Sequence, residues 1–269
     1  MRGTTRRRVG VVGATAVLAV LLAGCSTGAE PAALPHHATL SALVEAMSQR
    51  QHADQSARIS LRGEITGGAS TLRFTGDGVL HGSGDDVTLT FTQVVTRRGA
   101  DPQRTGFVVL PDAVYLLQPG PQNANRPWTR VDRNSTDPDD LRLLALSAPL
   151  VDSADPARTL SRYAAATSIA DVADDVIEGD PAVRYTIAVD VAKAAAQEPD
   201  PLARAQLKQQ VAAGLTRLTS TVWVDPESRP LRTVVHQNLP GIGTLTIMVS
   251  YRGWGEPVEI EAPPRTQVR

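Results

Sequence analysis

The chain has 269 residues, and its 27 lysine and arginine residues nearly balance its 28 aspartate and glutamate residues. With 42% hydrophobic and 20% charged residues, the composition is that of a globular protein and excludes a disordered or collagen-like chain. The formal net charge of -1 provides no overall basic footprint for nucleic acid, so we predict no nucleic-acid partner. Aromatic residues make up only 4%, which leaves aliphatic side chains to fill the core.

The first 24 residues have the parts of an export signal. Arg2 and the run Arg6–Arg8 are followed by Val9–Ala23, an uncharged and mostly apolar stretch of 15 residues. A transmembrane helix needs about 20 such residues, so this stretch is short for a span. We therefore predict that residues 1–24 are a signal peptide. The arginines do not decide between general and twin-arginine export.

The only cysteine of the chain follows this segment directly. Leu22-Ala23-Gly24-Cys25 resembles a bacterial lipobox, in which the cysteine thiol receives a diacylglyceryl group and becomes the mature N-terminus. No second cysteine is present for an intramolecular disulfide, so lipidation also accounts for a lone thiol in an exported protein. The resemblance implies an acylated lipoprotein, held through Cys25 on the extracytoplasmic face of the cell membrane.

Residues 25–38 are small, contain proline and have no periodicity, which is typical of a flexible tether. His36 and His37 are adjacent and lack a further ligand nearby, so we predict no metal site and no cofactor. The folded domain is predicted to cover residues 39–269. No stretch rich in proline, glycine and serine divides this region, which favours one domain.

Beyond the tether, hydrophobic periodicity predicts the elements. Leu40, Leu43, Val44 and Met47 form one stripe of a helix that ends near Gln51. Alternating apolar residues then predict three strands of a meander, over residues 58–65, 72–80 and 87–92. A hairpin over residues 107–110 and 113–117 alternates less clearly, as expected for strands covered on both faces.

Three Asp-Pro pairs predict the starts of helices, because aspartate caps a helix N-terminus and proline suits its first position. They are Asp137-Pro138, Asp155-Pro156 and Asp200-Pro201. Further strands are predicted over residues 168–177, 183–189, 220–224, 231–237 and 245–251. This order predicts an α+β fold, with one large antiparallel sheet and helices gathered on one face.

The sequence offers no catalytic residue. It contains no Gly-x-Ser-x-Gly, P-loop or His-Glu-x-x-His motif. The carboxylates near Asp137 are interpreted as helix-capping charges, and the pair Asp174 and Asp175 as a strand end or turn. We therefore predict a protein that is not an enzyme.

Several motifs, in order, resemble one family. These are the lipobox, Gly76-Asp77-Gly78, the hairpin strand Thr221-Val222-Trp223-Val224-Asp225, and Trp254-Gly255-Glu256-Pro257-Val258 followed by Pro263-Pro264. Together they look like the LppX/LprG group of actinobacterial lipoproteins, over most of residues 39–264. The resemblance implies a curved half-barrel sheet around helices, similar to the LolA/LolB carriers, which holds a lipid or glycolipid and works with an envelope transporter. The chain departs from shorter members by its insertion Val191–Leu218, whose alanine-rich helix could cap or fill the cavity.

Strand parity predicts which residues face the helices on the concave side of the sheet. The eleven candidates for an apolar cavity are Ile59, Leu61, Leu72, Phe74, Val87, Leu89, Phe91, Tyr185, Ile187, Ile247 and Val249. Val87 and Leu89 are predicted ligand contacts, whereas Trp223 and Trp254 are predicted to be structural. Two functions stay open: a carrier or binder of lipid or glycolipid in this cavity, or a non-catalytic interaction or signalling module with a filled core. A third, a hydrolase of envelope polymers, ranks below them because no residue can be nominated for its chemistry.

Overall fold

The computed structural model describes residues 33–67, 70–82, 87–117 and 125–269. The predicted signal peptide, Cys25 and the predicted tether as far as residue 32 lie outside these ranges. Residues Leu34–Arg269 form one compact unit. Within the described ranges, no helix combines the length and hydropathy that a membrane span requires.

The described residues form five α-helices and eleven strands. The helices are α1 (Leu40–Asp54), α2 (Pro138–Ala154), α3 (Pro156–Ser161), α4 (Val191–Gln197) and α5 (Pro201–Ala212). The first six strands are β1 (Ser56–Gly67), β2 (Ser70–His81), β3 (Thr88–Arg97), β4 (Gln103–Val109), β5 (Ala113–Leu117) and β6 (Trp128–Asp132). The other five are β7 (Thr167–Ile177), β8 (Asp180–Asp190), β9 (Arg217–Val224), β10 (Pro230–Leu239) and β11 (Gly243–Arg252).

All eleven strands belong to one sheet with the order β6-β5-β4-β3-β2-β1-β11-β10-β9-β8-β7. Every neighbouring pair is antiparallel. β1 lies at the centre, where it pairs with β2 on one side and β11 on the other, and so joins two meanders. The sheet is curved and not closed. The predicted fold class, an α+β half-barrel with one large antiparallel sheet, is confirmed.

The three Asp-Pro pairs predicted to begin helices, at Asp137, Asp155 and Asp200, do so at the starts of α2, α3 and α5. Asp155 accepts a hydrogen bond from the backbone N–H of Arg158 at 2.9 Å, and Asp200 accepts one from Ala203 at 2.7 Å. These bonds satisfy N–H groups that have no partner inside the helix, and each following proline has no N–H to satisfy. The sequence did not predict β6 or α4. Both are short, and α4 begins at Val191, with Asp190 as its N-cap and no proline.

The concave face carries two hydrophobic cores. The first, which we call the α2 core, joins side chains of β1–β6 and β11 to Leu143, Leu144 and Val151 of α2. The second, the α1 core, packs Leu43 and Met47 of α1, with Ala157 and Leu160 of α3, against β8 and β9. The two cores cover the two wings of the sheet and consist of hydrophobic side chains.

The C-terminal tail covers part of the opposite face. Val108 and Tyr115 point away from the α2 core and pack with Ile260 and Val268 of the tail. The tail also pairs with the edge strand β6, because the N–H of Arg269 donates to the carbonyl of Trp128 at 2.9 Å. β4 and β5 are therefore buried on both faces, as their weak alternation predicted.

A candidate ligand cavity beneath helix α3

A cavity of about 670 Å³ lies between α3, the pair α4–α5 and the sheet. Its polar wall is formed by α3 and the turn that follows, with Arg158, Thr159, Ser161, Arg162 and Tyr163. Its apolar wall is formed by β8–β10 and the two inserted helices, with Val189, Val191, Ala194, Leu207, Leu218 and Val235. A volume of this size lies within the range of small-molecule and cofactor sites.

A second, smaller cavity of about 150 Å³ adjoins the first below α3. Thr159, Ser220 and Val235 line both spaces. The smaller cavity continues toward the centre of the sheet, where Ile247 and Val249 form its floor. We call the two spaces together the α3 groove. Its two parts lie side by side on the concave face, and both have mainly apolar linings.

One cross-strand row of the sheet lines the groove from below. Ser220 of β9 is paired with Val235 of β10, and Val235 is paired in turn with Ile247 of β11. These side chains share the concave face by strand parity, and all three line the α3 groove. In the neighbouring row, Val222 and Val249 belong to the α1 and α2 cores and also line the smaller cavity.

A buried carboxylate ties the inserted helices to α3. Glu198, between α4 and α5, is only 2% exposed and accepts hydrogen bonds from the hydroxyl of Tyr163 and from Arg162, the latter at 3.2 Å. The Tyr163 bond holds the pKa of Glu198 below its usual value. Burial, together with the same bond, raises the pKa of Tyr163. Tyr163 therefore lines the groove as a neutral phenol, and the Glu198 carboxylate that it binds is charged and buried behind it.

The same short segment also holds α5. The carbonyl of Glu198 accepts a hydrogen bond from Nε of Arg204 at 2.8 Å, and the Glu198 carboxylate accepts the N–H of Asp200 at 3.1 Å. No residue of α5 is buried, and Leu202 is 70% exposed. Leu207 is the α5 side chain that reaches the groove. The predicted alanine-rich insertion thus forms an outer wall of the groove.

The structure places the eleven predicted cavity residues in different surroundings. Ile247 and Val249 line the α3 groove. Leu72 lines a separate space of about 60 Å³ with Val95. Val87 belongs to the α2 core and is only 2% exposed. The other seven residues belong to the two cores or pack against them: Ile59, Leu61, Phe74, Leu89, Phe91, Tyr185 and Ile187. Three of the eleven residues, Leu72, Ile247 and Val249, therefore line a described cavity. The role of all eleven as ligand contacts stays a prediction.

The groove residues that the sequence analysis missed had a readable signal. Arg158 and Arg162 are four residues apart after the Asp155-Pro156 helix start, so they share one helical face. Val235 lies in the predicted strand 231–237, and Leu218 lies just before the predicted strand 220–224. Neither was among the residues predicted to face the helices. These residues could not be grouped into one site because hydrophobic periodicity does not show over which strands a short helix such as α3 lies.

Trp223 and Trp254, the two tryptophans predicted to be structural, do not line the groove. The indole N–H of Trp254 donates to the carbonyl of Pro230 at 2.9 Å, and its ring stacks on Tyr251 with centroids 5.9 Å apart. Trp223 faces the opposite side of the sheet from Val222, and its N–H donates to Asp175 at 2.9 Å. That bond lowers the pKa of Asp175. The hydrogen-bond partner of Trp223 is thus a side-chain carboxylate of β7.

The segment before α1 lies against the end of the sheet opposite the groove. Leu34 packs on the α1 core, although residues 34–38 were predicted as part of the tether. The N–H of His37 donates to the hydroxyl of Tyr185 at 2.7 Å, and the His37 ring contacts Ser228 at 3.0 Å. His36 meets Asp174 at 2.5 Å. Within the described ranges, no three His, Cys, Asp or Glu side chains are grouped to bind a metal ion.

No protein-family model and no curated protein matches the chain. Among solved structures, the chain is similar to a LolA superfamily protein from Nitrosomonas europaea. That likeness has 8% sequence identity and a TM-score of 0.26, and it covers 81% of this chain and 93% of the other.

Proposed function

We propose that the protein is a lipid-anchored lipoprotein of the cell envelope that binds a lipid or glycolipid in the α3 groove. The observation that carries this proposal is the size and lining of the two adjoining cavities, about 670 and 150 Å³, on the concave face. An apolar channel of this kind removes acyl chains from water, and each buried methylene contributes about 0.8 kcal/mol.

The two cores support this reading because they hold the fold without help from a ligand. α2 fills the wing formed by β1–β6, and α1 with α3 fills the wing formed by β8 and β9. A ligand therefore need not complete the fold, and the groove can be empty or occupied. The alternative, an interaction module with a filled core, accounts for the α2 core but leaves the α3 groove without a role.

Anchoring through Cys25 is the second part of the proposal. Only eight residues, 26–33, separate this cysteine from Leu34, which packs at the end of the sheet near Ser228. The groove lies at the opposite end, near Val189 and Leu218. The described chain thus enters the domain at the end away from the groove. Delivery of that ligand to an envelope transporter is the finer proposal that the family resemblance implies.

Co-purified lipid tests the proposed binding. The compact unit, residues 34–269, is expressed without the anchor and extracted with organic solvent, and the extract is analysed by mass spectrometry. We expect lipid in stoichiometric amounts, against background in an unrelated exported protein treated in the same way. Equal amounts in both samples would contradict lipid binding and favour the interaction module.

A further inference from the structure

The two edge strands of the sheet, β6 and β7, differ in how they are covered. At the β6 edge, the N–H of Arg269 donates to the carbonyl of Trp128 at 2.9 Å, and the N–H of Arg130 donates to the carbonyl of Arg269 at 3.1 Å. β7 forms the other edge and pairs with β8. Among the described residues, no segment pairs with the outer side of β7. An open edge strand is a template for the addition of a further strand.

The turn between β7 and β8 fixes which backbone groups of β7 point outward. Its two central residues, Glu178 and Gly179, have φ angles of 57° and 103°, as in a two-residue type I′ hairpin. In such a hairpin the flanking pair, Ile177 and Asp180, is hydrogen-bonded, and the pairs before it alternate between bonded and non-bonded. Every second residue before Ile177, starting at 176, therefore directs its N–H and C=O away from β8.

Val176 is the first of these outward residues, and its contacts agree with this assignment. It lies opposite Pro181, which has no N–H, and its own N–H donates to the side chain of Asp175 at 2.8 Å. By the same alternation, the N–H and C=O groups of Val172 and Asp174 also point outward. The edge is accessible, since Val176 is 61% exposed. β7 thus offers the backbone groups of three residues for pairing.

The side chains of this edge are acidic, although the whole chain has a net charge of only -1. Residues 171–180 contain no lysine or arginine and five acidic residues: Asp171, Asp174, Asp175, Glu178 and Asp180. Arg184 pairs with Asp171 and Arg232 with Glu178, while His36 meets Asp174. Five carboxylates against these three basic groups leave an excess of negative charge, whether or not His36 is protonated.

This charge decides which kind of strand fits the edge. Pairing of β7 with β7 of a second copy would place carboxylates opposite carboxylates, which is destabilising, whereas opposite charges across two strands stabilise the pair. We propose that β7 binds an extended segment of a partner protein in which basic and apolar side chains alternate. Its basic side chains pair with Asp171 and Asp175, and its apolar side chains lie beside Val176 on the other face of the strand. This inference does not depend on the ligand of the α3 groove.

Binding of a synthetic peptide to the full-length protein in dodecyl maltoside micelles tests the proposal. The probe is a fluorescein-labelled peptide in which lysine and valine alternate, and its fluorescence polarisation is followed at low ionic strength. We expect saturable binding that weakens as salt is added, because exposed ion pairs are screened. With the peptide bound, the amides of Val172 and Asp174 should exchange about tenfold more slowly. A peptide with glutamate in place of lysine should not bind.

Two controls separate strand addition from simple attraction of charges. The lysine–valine peptide with an N-methylated backbone keeps its charge but has no N–H donors, so it should bind at least about tenfold more weakly. On the protein, V176P removes an outward N–H without breaking a bond to β8, and it should weaken binding to a similar extent. V176T keeps this N–H and should bind as wild type. Melting temperatures are compared for all variants.

A second pair of variants tests the charge. D174N/D180N removes two carboxylates and should weaken binding about fivefold. E259Q/E261Q removes two charges from the exposed tail and is the matched control, which should bind as wild type.

Three results would overturn the proposal. Equal binding of the N-methylated peptide, or unchanged binding by a folded V176P variant, would leave only non-specific attraction to an acidic surface. No binding of the lysine–valine peptide at low ionic strength would exclude a basic strand as the partner. Sedimentation velocity of the protein alone should show a monomer, and a dimer that V176P dissociates would assign the edge to a second copy instead.

Discussion

The ring of Phe91 on β3 lies directly over Gly76 on β2. A Cβ atom added at Gly76 would come within 2.4 Å of Cζ of Phe91, and one added at Gly78 within 2.7 Å of Cδ2 of the same ring. Both glycines face the α2 core, in which Phe91 is only 5% exposed. The Gly76-Asp77-Gly78 motif therefore makes room for an aromatic ring on the concave face, and its role is packing.

Gly76→Ala should destabilise the protein by about 1–3 kcal/mol, because the new methyl group has no space beside the ring. The carbonyl of Thr92, which would lie 2.9 Å away, prevents relief by a small shift of the ring alone. Chemical denaturation measures the free energy of unfolding. Asp77→Ala, on the exposed side of the same strand, is the control and should change it by less than about 0.5 kcal/mol. An unchanged stability of Gly76→Ala would contradict this packing.

Asp225 makes stability depend on pH. Burial raises the pKa of its carboxyl from 3.8 to about 6 in the folded protein, although the N–H groups of Glu227 and Arg229 donate to it. The folded protein thus binds this proton more tightly than the unfolded chain. Protonation of Asp225 therefore adds to the free energy of unfolding. This contribution is present in full below about pH 4, and it is lost as the pH rises through about 6.

Asp225→Asn should remove this dependence while Oδ1 still accepts both backbone N–H groups. We expect the stability of the wild type relative to the variant to fall by up to about 3 kcal/mol between pH 4 and pH 7. Denaturation curves of both proteins across this range measure the difference. A difference that stays constant with pH, or that rises, would contradict the assignment.

Glu198→Gln should loosen the inserted helices without unfolding the domain. The amide keeps a carbonyl for Tyr163 but loses the charge that attracts Arg162. We expect amide hydrogen exchange in residues 191–212 to become roughly tenfold faster, while exchange in β1 and β11 is unchanged. Glu261→Gln, on the exposed tail, is the matched control. Equal protection of residues 191–212 in wild type and Glu198→Gln would show that the ion pair does not hold the wall of the groove.

The anchor has its own test. Cys25→Ala removes the only thiol, so the variant should incorporate no palmitate analogue and should be found as uncleaved precursor or as released protein. Metabolic labelling followed by gel fluorescence measures the incorporation, with Ser26→Ala as the control. Equal labelling of wild type and Cys25→Ala would exclude the lipoprotein assignment.

Most of the sheet could be predicted from the sequence because its strands alternate clearly between a buried and an exposed side. The meander over β1–β3 and the strand β8 are examples, and the aspartate caps marked three helices. The position of the groove could not be predicted in this way. It depends on α3, a helix of six residues, lying over the row Ser220, Val235 and Ile247 rather than over Val87 and Leu89. Hydrophobic periodicity identifies the apolar face of a strand. Whether that face is packed in a core or lines a cavity depends on the helix that covers it.

Two substitutions of the same kind distinguish a cavity from a core. Val235 lines both parts of the α3 groove, whereas Val87 is 2% exposed in the α2 core. Val235→Trp should leave the melting temperature close to that of the wild type and remove the co-purified lipid. Val87→Trp should destabilise the protein by about 1–3 kcal/mol through overpacking, and the folded fraction should keep its lipid. The amount of lipid extracted per mole of folded Val235→Trp protein is thus the most direct measurement: a large loss is the predicted result, and a wild-type amount would contradict a ligand in the α3 groove.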